Sequence, residues 1–127
     1  MKYLLDTDIC IYTIKRKPPE VLQRFNTMLP SGIGVSAITV AELEYGAAKS
    51  QNPEGNRAAL QQFLMLLEVV SFDTGATRAY GTLRSELEGK GCVIGSLDML
   101  IAAQALSLDM TLVTNNTREY SRLSNLK

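Results

Sequence analysis

The chain has 127 residues, 46% of them hydrophobic, and its 13 basic and 13 acidic side chains give a formal charge of zero. This length suits a single domain spanning residues 1–127, and the charge balance argues against a global positive field that would attract nucleic acid. Histidine is absent, which excludes Ser-His-Asp and Cys-His triads, histidine-ligated zinc and imidazole catalysis, so any enzymatic chemistry must use carboxylates, lysines, hydroxyls or a metal ion.

The first half of the chain predicts two strands, each followed by helices. An apolar strand at residues 3–5 ends at Asp6 and leads into a first helix. A Pro-Pro pair at 18–19 suits the start of a second helix. A strand at 33–36 then precedes a helix at about 37–50. The residues predicted to form the buried stripe of that helix are Ile38, Ala41, Tyr45 and Ala48.

The second half continues the alternation. Pro53 opens a helix, and a strand follows at 68–72. A long helix at about 74–88 ends at two nearby glycines. Ser96 is expected to cap the next helix, before a strand at 111–114 and a helical turn around 118–123.

Alternating strands and helices predict an α/β fold. We expect a three-layer α/β/α arrangement with a central, mainly parallel sheet of four to five strands. In such sheets, functional groups collect beyond the carboxyl ends of the strands. Asp6 follows the first strand, and Asn115 and Asn116 follow the last, so these side chains are expected at one edge.

Three acidic residues from distant segments border predicted apolar faces. Asp6 ends a strand, Glu42 adjoins the stripe of its helix, and Asp98 lies in a first helical turn. Structural alternatives are a solvated helix flank for Glu42 and a dipole-stabilising charge for Asp98. Asp8 is expected to cap the first helix. Clustered carboxylates raise one another's pKa unless a cation lies among them, and Mg²⁺ or Mn²⁺ suits oxygen ligands.

Four stretches, "LLDTDICIY", "SAITVAELEYGAAKS", "IGSLDMLIAAQAL" and "TLVTNNTREY", give the chain a family resemblance. Together they resemble the PIN-domain ribonucleases, specifically the VapC-type toxins of type II toxin–antitoxin systems. The resemblance implies a PIN-like fold and an endoribonuclease that depends on Mg²⁺ or Mn²⁺. It also implies structured RNA as substrate, including tRNA, a VapB-type antitoxin that neutralises the enzyme, and a homodimer. The two cysteines, and the lack of a signal-like or membrane-spanning apolar segment, favour a cytoplasmic location.

The acidic residues of that family correspond to Asp6, Glu42 and Asp98, with Asn116 near the place of a fourth acid. Our hypothesis is that Asp6 and Asp98 bind the metal, Glu42 orients the attacking water, and Asn116 holds a water or a phosphate oxygen. The amides at Asn115 and Asn116 carry no charge, which weakens the case for a second metal. Gln104 is a further departure, because relatives frequently have histidine there.

Two other functions remain open at this point. The "DTD" at residues 6–8 also resembles the Asp-x-Asp signature of haloacid-dehalogenase-like phosphatases, in which the first Asp is a nucleophile. A catalytically inert PIN-like module that binds RNA or protein is the non-enzymatic alternative. The basic run at 15–17 suits either RNA backbone or a solvated helix end, and Tyr12 and Tyr45 are expected in the core rather than on bases.

Overall fold

The computed structural model describes residues 3–17, 19–91 and 94–114. Strands and helices alternate through these residues. In chain order they are β1 (Tyr3–Leu5), α1 (Thr7–Lys15), α2 (Pro19–Met28), β2 (Ile33–Ser36), α3 (Ala37–Ala48), α4 (Pro53–Leu64), β3 (Glu68–Val70), α5 (Thr74–Gly89), α6 (Ser96–Ser107) and β4 (Thr111–Val113). Within these ranges, no helix combines the length and apolar character needed to cross a bilayer.

The four strands form one sheet in the order β3-β2-β1-β4, and all three pairings are parallel. Leu5 at the end of β1 is level with Val35 on one side and Val113 on the other. The carboxyl ends of the strands therefore meet at one edge, which we call the carboxyl edge. The predicted parallel α/β sheet is confirmed.

Helices cover both faces of the sheet, because successive side chains of a strand point to opposite sides. Leu4 belongs to a core cluster with residues of α5 and α6, whereas Leu5 belongs to a second cluster with residues of α1 to α4. In the second cluster, the rings of Phe25 and Phe63 lie 5.8 Å apart between centroids. This division of the core gives the predicted three layers.

Helix α3 buries a different face from the predicted one. Its buried residues are Thr39, Leu43 and Ala47. The predicted stripe faces outward instead, and Tyr45 in that stripe is 67% exposed. The prediction was wrong because α3 is apolar on both sides, so its hydrophobic periodicity does not distinguish the face toward the core from the face toward solvent.

Several boundaries also differ from the predictions, among them the end of β4, which lies at Val113 rather than at residue 114. Strand β3 ends at Val70, two residues early, because its partner strand β2 ends at Ser36, the residue paired with Val70. Beyond this pair, the buried Gln104 side chain donates hydrogen bonds to the carbonyls of Val70 (3.1 Å) and Ser71 (2.9 Å). Ser96 is the first residue of α6 rather than its cap, and the N-cap is Gly95, which has no capping side chain. The predicted turn at 118–123 lies outside the described residues.

Candidate active site

Asp6 lies at the carboxyl edge, directly after β1, and is only 5% exposed. Its Oδ1 accepts a hydrogen bond from the Ile9 amide at 2.9 Å, which makes Asp6 the N-cap of α1. Its Oδ2 accepts a hydrogen bond from the Thr114 hydroxyl, just beyond β4. The prediction that Asp8 caps this helix was wrong. Asp8 lies in the first turn, is exposed, and adds a negative charge near Asp6.

The environment of Asp6 favours its neutral form over its ionised form. Burial raises the pKa of this carboxyl above its ordinary value, and the hydrogen bonds from Thr114 and Ile9 only partly offset that effect. The negative charges of Asp8 and Glu42 raise the pKa further. A carboxylate held in this way is stabilised by a proton or by a bound cation.

Glu42 reaches the same edge from α3, which begins directly after β2. The side chain of Ser36, the last residue of β2, accepts a hydrogen bond from the Ile38 amide at 3.0 Å and caps the helix. Glu42 lies in the second turn and is half-buried. The Thr7 hydroxyl donates a hydrogen bond to Glu42 Oε1 at 2.8 Å, which places Glu42 beside the residue that follows Asp6.

Thr7 is a site residue that the sequence reasoning missed. It is the first residue of α1 and lies 35 positions from its partner in the chain. The contact depends on the packing of α1 against α3, which no local pattern reveals. The available signal was a hydroxyl directly after the acid in "LLDT".

Asp98 lies in the first turn of α6 and is partly buried. Helix α6 leads into β4, which runs parallel to β1, so the N-terminus of α6 lies at the carboxyl edge. Asp6 and the start of α3 lie at the same edge. A side chain at Gly95 would bring its Cβ to 3.4 Å from Asp98 Oδ2, so this glycine leaves space beside the carboxylate. Leu97, the adjacent residue, lines the same cleft as Glu42.

The described residues supply oxygen ligands suited to a hard divalent cation, but they do not form a complete ligand shell. Across 3–17, 19–91 and 94–114, no three Asp, Glu, His or Cys side chains are grouped so that they could hold a metal. Mg²⁺ requires only one or two carboxylates, since waters and substrate phosphate complete its coordination. The buried, like-charged surroundings of Asp6 fit such an ion. Asn115 and Asn116 lie outside the described residues.

A cleft of about 980 Å³ opens beside Asp8 and Glu42, between α1, α3 and α4. Thr7, Asp8 and Glu42 line one end of it. Lys15 and Lys49, at the far ends of α1 and α3, line the other. Apolar side chains form much of its wall, including Ile11, Ile14, Ile38, Ala41 and Leu60. The site therefore combines an acidic end, an apolar wall and a basic end.

Comparison with known proteins gives matches over nearly the whole chain. The family model described as PIN domain matches residues 3–126. "Ribonuclease VapC2" of Rickettsia felis is 45% identical over 132 residues, covering 99% of this chain and 95% of the relative. "tRNA(fMet)-specific endonuclease VapC" of Shigella flexneri is 42% identical over 127 residues, covering 100% of this chain and 96% of the relative. The crystal structure of DNA-bound VapBC from Salmonella typhimurium matches with a TM-score of 0.94 and 43% identity, covering 100% of this chain and 96% of that one.

Proposed function

This chain belongs to the PIN-domain family, and we propose that it is a VapC-type endoribonuclease toxin that cleaves structured RNA and is neutralised by a cognate VapB-type antitoxin. Relatives named as ribonucleases and as a tRNA(fMet)-specific endonuclease support this function and favour tRNA as the substrate class. The observation that carries the proposal is the carboxyl edge itself, where the charge of half-buried Glu42 acts on buried Asp6 and the next residue, Thr7, donates a hydrogen bond to Glu42.

We assign the roles of the site residues as follows. Asp6 and Asp98 would hold Mg²⁺ or Mn²⁺, which would stabilise negative charge on the phosphodiester and make water a better nucleophile. Ile9 and Thr114 fix the two oxygens of Asp6, and Thr7 fixes one oxygen of Glu42. The other oxygen of Glu42 then orients the attacking water and accepts its proton.

In this scheme, water attacks the phosphorus in line, and the P–O3′ bond breaks on the opposite side. The departing O3′ takes a proton from solvent water and becomes a hydroxyl. The products carry a 5′-phosphate and a 3′-hydroxyl. Asn116 is proposed to hold a water or a phosphate oxygen beside this centre. These products would distinguish the reaction from cleavage by a neighbouring 2′-hydroxyl, which leaves the phosphate on the 3′ side.

The antitoxin and the oligomeric state complete the proposal. Solved relatives are VapBC complexes, and an antitoxin segment lying across the carboxyl edge would exclude substrate from the acids. We further propose that the toxin works in the cytoplasm, where its RNA substrates are, and forms a homodimer.

The function is tested by incubating the purified protein with total RNA, with and without Mg²⁺, and mapping the new 5′ ends. We expect a small number of defined cleavage sites that carry 5′-phosphates and disappear with a chelator. Asp6→Asn and Asp98→Asn should abolish them. Full activity in chelator, or in either variant, would contradict the assigned chemistry, and RNA binding without cleavage over a range of Mn²⁺ would support an inert PIN-like module.

A further inference from the structure

We propose that Tyr45 and Lys49 form a nucleotide-binding subsite of the cleft, next to the scissile phosphate. In this arrangement, a base flanking the cleavage point stacks on Tyr45, and an adjoining phosphate is bound by Lys49 and Lys15. The inference rests on the proposed ribonuclease function and specifies how the substrate is held.

The first argument is the position of these side chains along α3. Glu42, Tyr45 and Lys49 follow one another at intervals of three and four residues, which places them on one face of the helix. At a rise of about 1.5 Å per residue, Tyr45 is roughly 4.5 Å and Lys49 roughly 10 Å from Glu42 along the axis. All three line the cleft, so a strand bound at Glu42 passes Tyr45 before it reaches Lys49.

The second argument is the exposure of a large aromatic ring. Tyr45 is 67% exposed although it belongs to an apolar stripe, and it packs in neither core cluster. Lys49 Nζ lies 4.9 Å from the ring centroid. A ring held by a cation and open to solvent provides a stacking platform, and stacking of a base on such a ring contributes about 1–3 kcal/mol.

The third argument is the distribution of charge. The chain has no net charge, so phosphate must be bound by a local group of cations. Lys15 and Lys49 line the cleft about two helical turns away from Asp8 and Glu42 on their respective helices. The resulting order of acids, aromatic ring and lysines matches a metal-bound phosphate, a base and a further phosphate.

The experiment compares Tyr45→Ala, Tyr45→Phe and Lys49→Gln in the full-length protein. The probe is a labelled RNA oligonucleotide that spans a mapped cleavage site, or labelled tRNA if no cleavage site is found. Cleavage with Mg²⁺ gives kcat and KM, and fluorescence anisotropy without divalent ions gives affinity. Arg78→Gln, which removes an exposed cation that does not line the cleft, is the matched control for Lys49→Gln.

We expect Tyr45→Ala to raise KM and Kd about tenfold, within the range for one lost stack, while kcat changes less than twofold. Tyr45→Phe should behave as the wild type because it keeps the ring. Lys49→Gln should weaken binding and reduce the dependence of log Kd on log salt by roughly one phosphate contact, whereas Arg78→Gln should do neither.

Unchanged KM and Kd in Tyr45→Ala would overturn the proposal. So would weaker antitoxin binding with unchanged RNA affinity, because the cleft would then be a peptide-binding surface. If the wild type binds the RNA without cutting it, the ribonuclease proposal fails. The anisotropy of the variants then still tests whether Tyr45 and Lys49 bind RNA. A wild type that neither binds nor cuts RNA rejects both proposals.

Discussion

The Thr7→Val substitution tests whether the hydroxyl of Thr7 holds the Glu42 carboxylate in its working position. Valine has nearly the same shape as threonine but cannot donate the 2.8 Å hydrogen bond to Glu42 Oε1. Without that bond, the carboxylate is free to turn away from the attacking water. We therefore expect the fold to persist and the catalytic step to slow.

The size of the effect follows from the type of bond and its surroundings. Hydrogen bonds to charged groups contribute about 1.5–3 kcal/mol, and the half-buried position of Glu42 favours the lower end of that range. Because about 1.4 kcal/mol corresponds to tenfold in rate, Thr7→Val should lower kcat about tenfold. Thr7→Ser keeps the hydroxyl and should lose less than threefold.

The assay is steady-state cleavage of a labelled RNA at saturating Mg²⁺, with circular dichroism as the control for folding. A double-mutant cycle with Glu42→Gln separates positioning from general destabilisation. If Thr7 acts through Glu42, adding Thr7→Val to the Glu42→Gln protein should cause little further loss. Fully additive losses, or wild-type kcat in Thr7→Val, would refute the reasoning.

Three further predictions concern stability and ion binding. Asp6→Asn should raise the Tm of the metal-free protein at neutral pH, because an amide can still cap α1 without the penalty of a buried charge. The pKa of Asp6 is raised in the folded state, so the wild type loses stability as pH rises from the ordinary carboxyl value of 3.8 through the raised value. The difference in Tm between Asp6→Asn and the wild type should therefore shrink toward acidic pH. Equal Tm values for the two proteins at every pH would contradict this. Mn²⁺ should raise the Tm of the wild type in a concentration-dependent way but not that of Asp6→Asn, and equal shifts in both proteins would place the ion elsewhere. Gln104→Leu should lower the free energy of unfolding by about 2 kcal/mol in urea titrations, because the two hydrogen bonds that Gln104 donates to the carbonyls of Val70 and Ser71 are lost at about 1 kcal/mol each. A change below about 0.5 kcal/mol would show that water replaces the amide.

Local patterns were sufficient to predict the architecture. The four short apolar segments became strands of one parallel sheet, and that topology alone put Asp6, the start of α3 and the start of α6 at one edge. The helix starts at Pro19 and Pro53 followed from the fixed backbone angle of proline.

Features that depend on packing between elements were not predictable in the same way. Asp6 and Asp8 are both good capping residues two positions apart, and the point at which β1 leaves the sheet decides which one caps α1. Helix α3 carries apolar residues on both sides, so only its packing shows that Tyr45 is exposed while Leu43 is buried. The Thr7–Glu42 contact requires two helices to approach across 35 residues of sequence.

The most direct measurement of the central claim is anomalous diffraction at the manganese edge from crystals grown with Mn²⁺. The account predicts one strong peak at the carboxyl edge, within coordination distance of carboxylate oxygens of Asp6 and Asp98. A peak away from both residues, or no peak in crystals of protein that cleaves RNA under the same conditions, would contradict it.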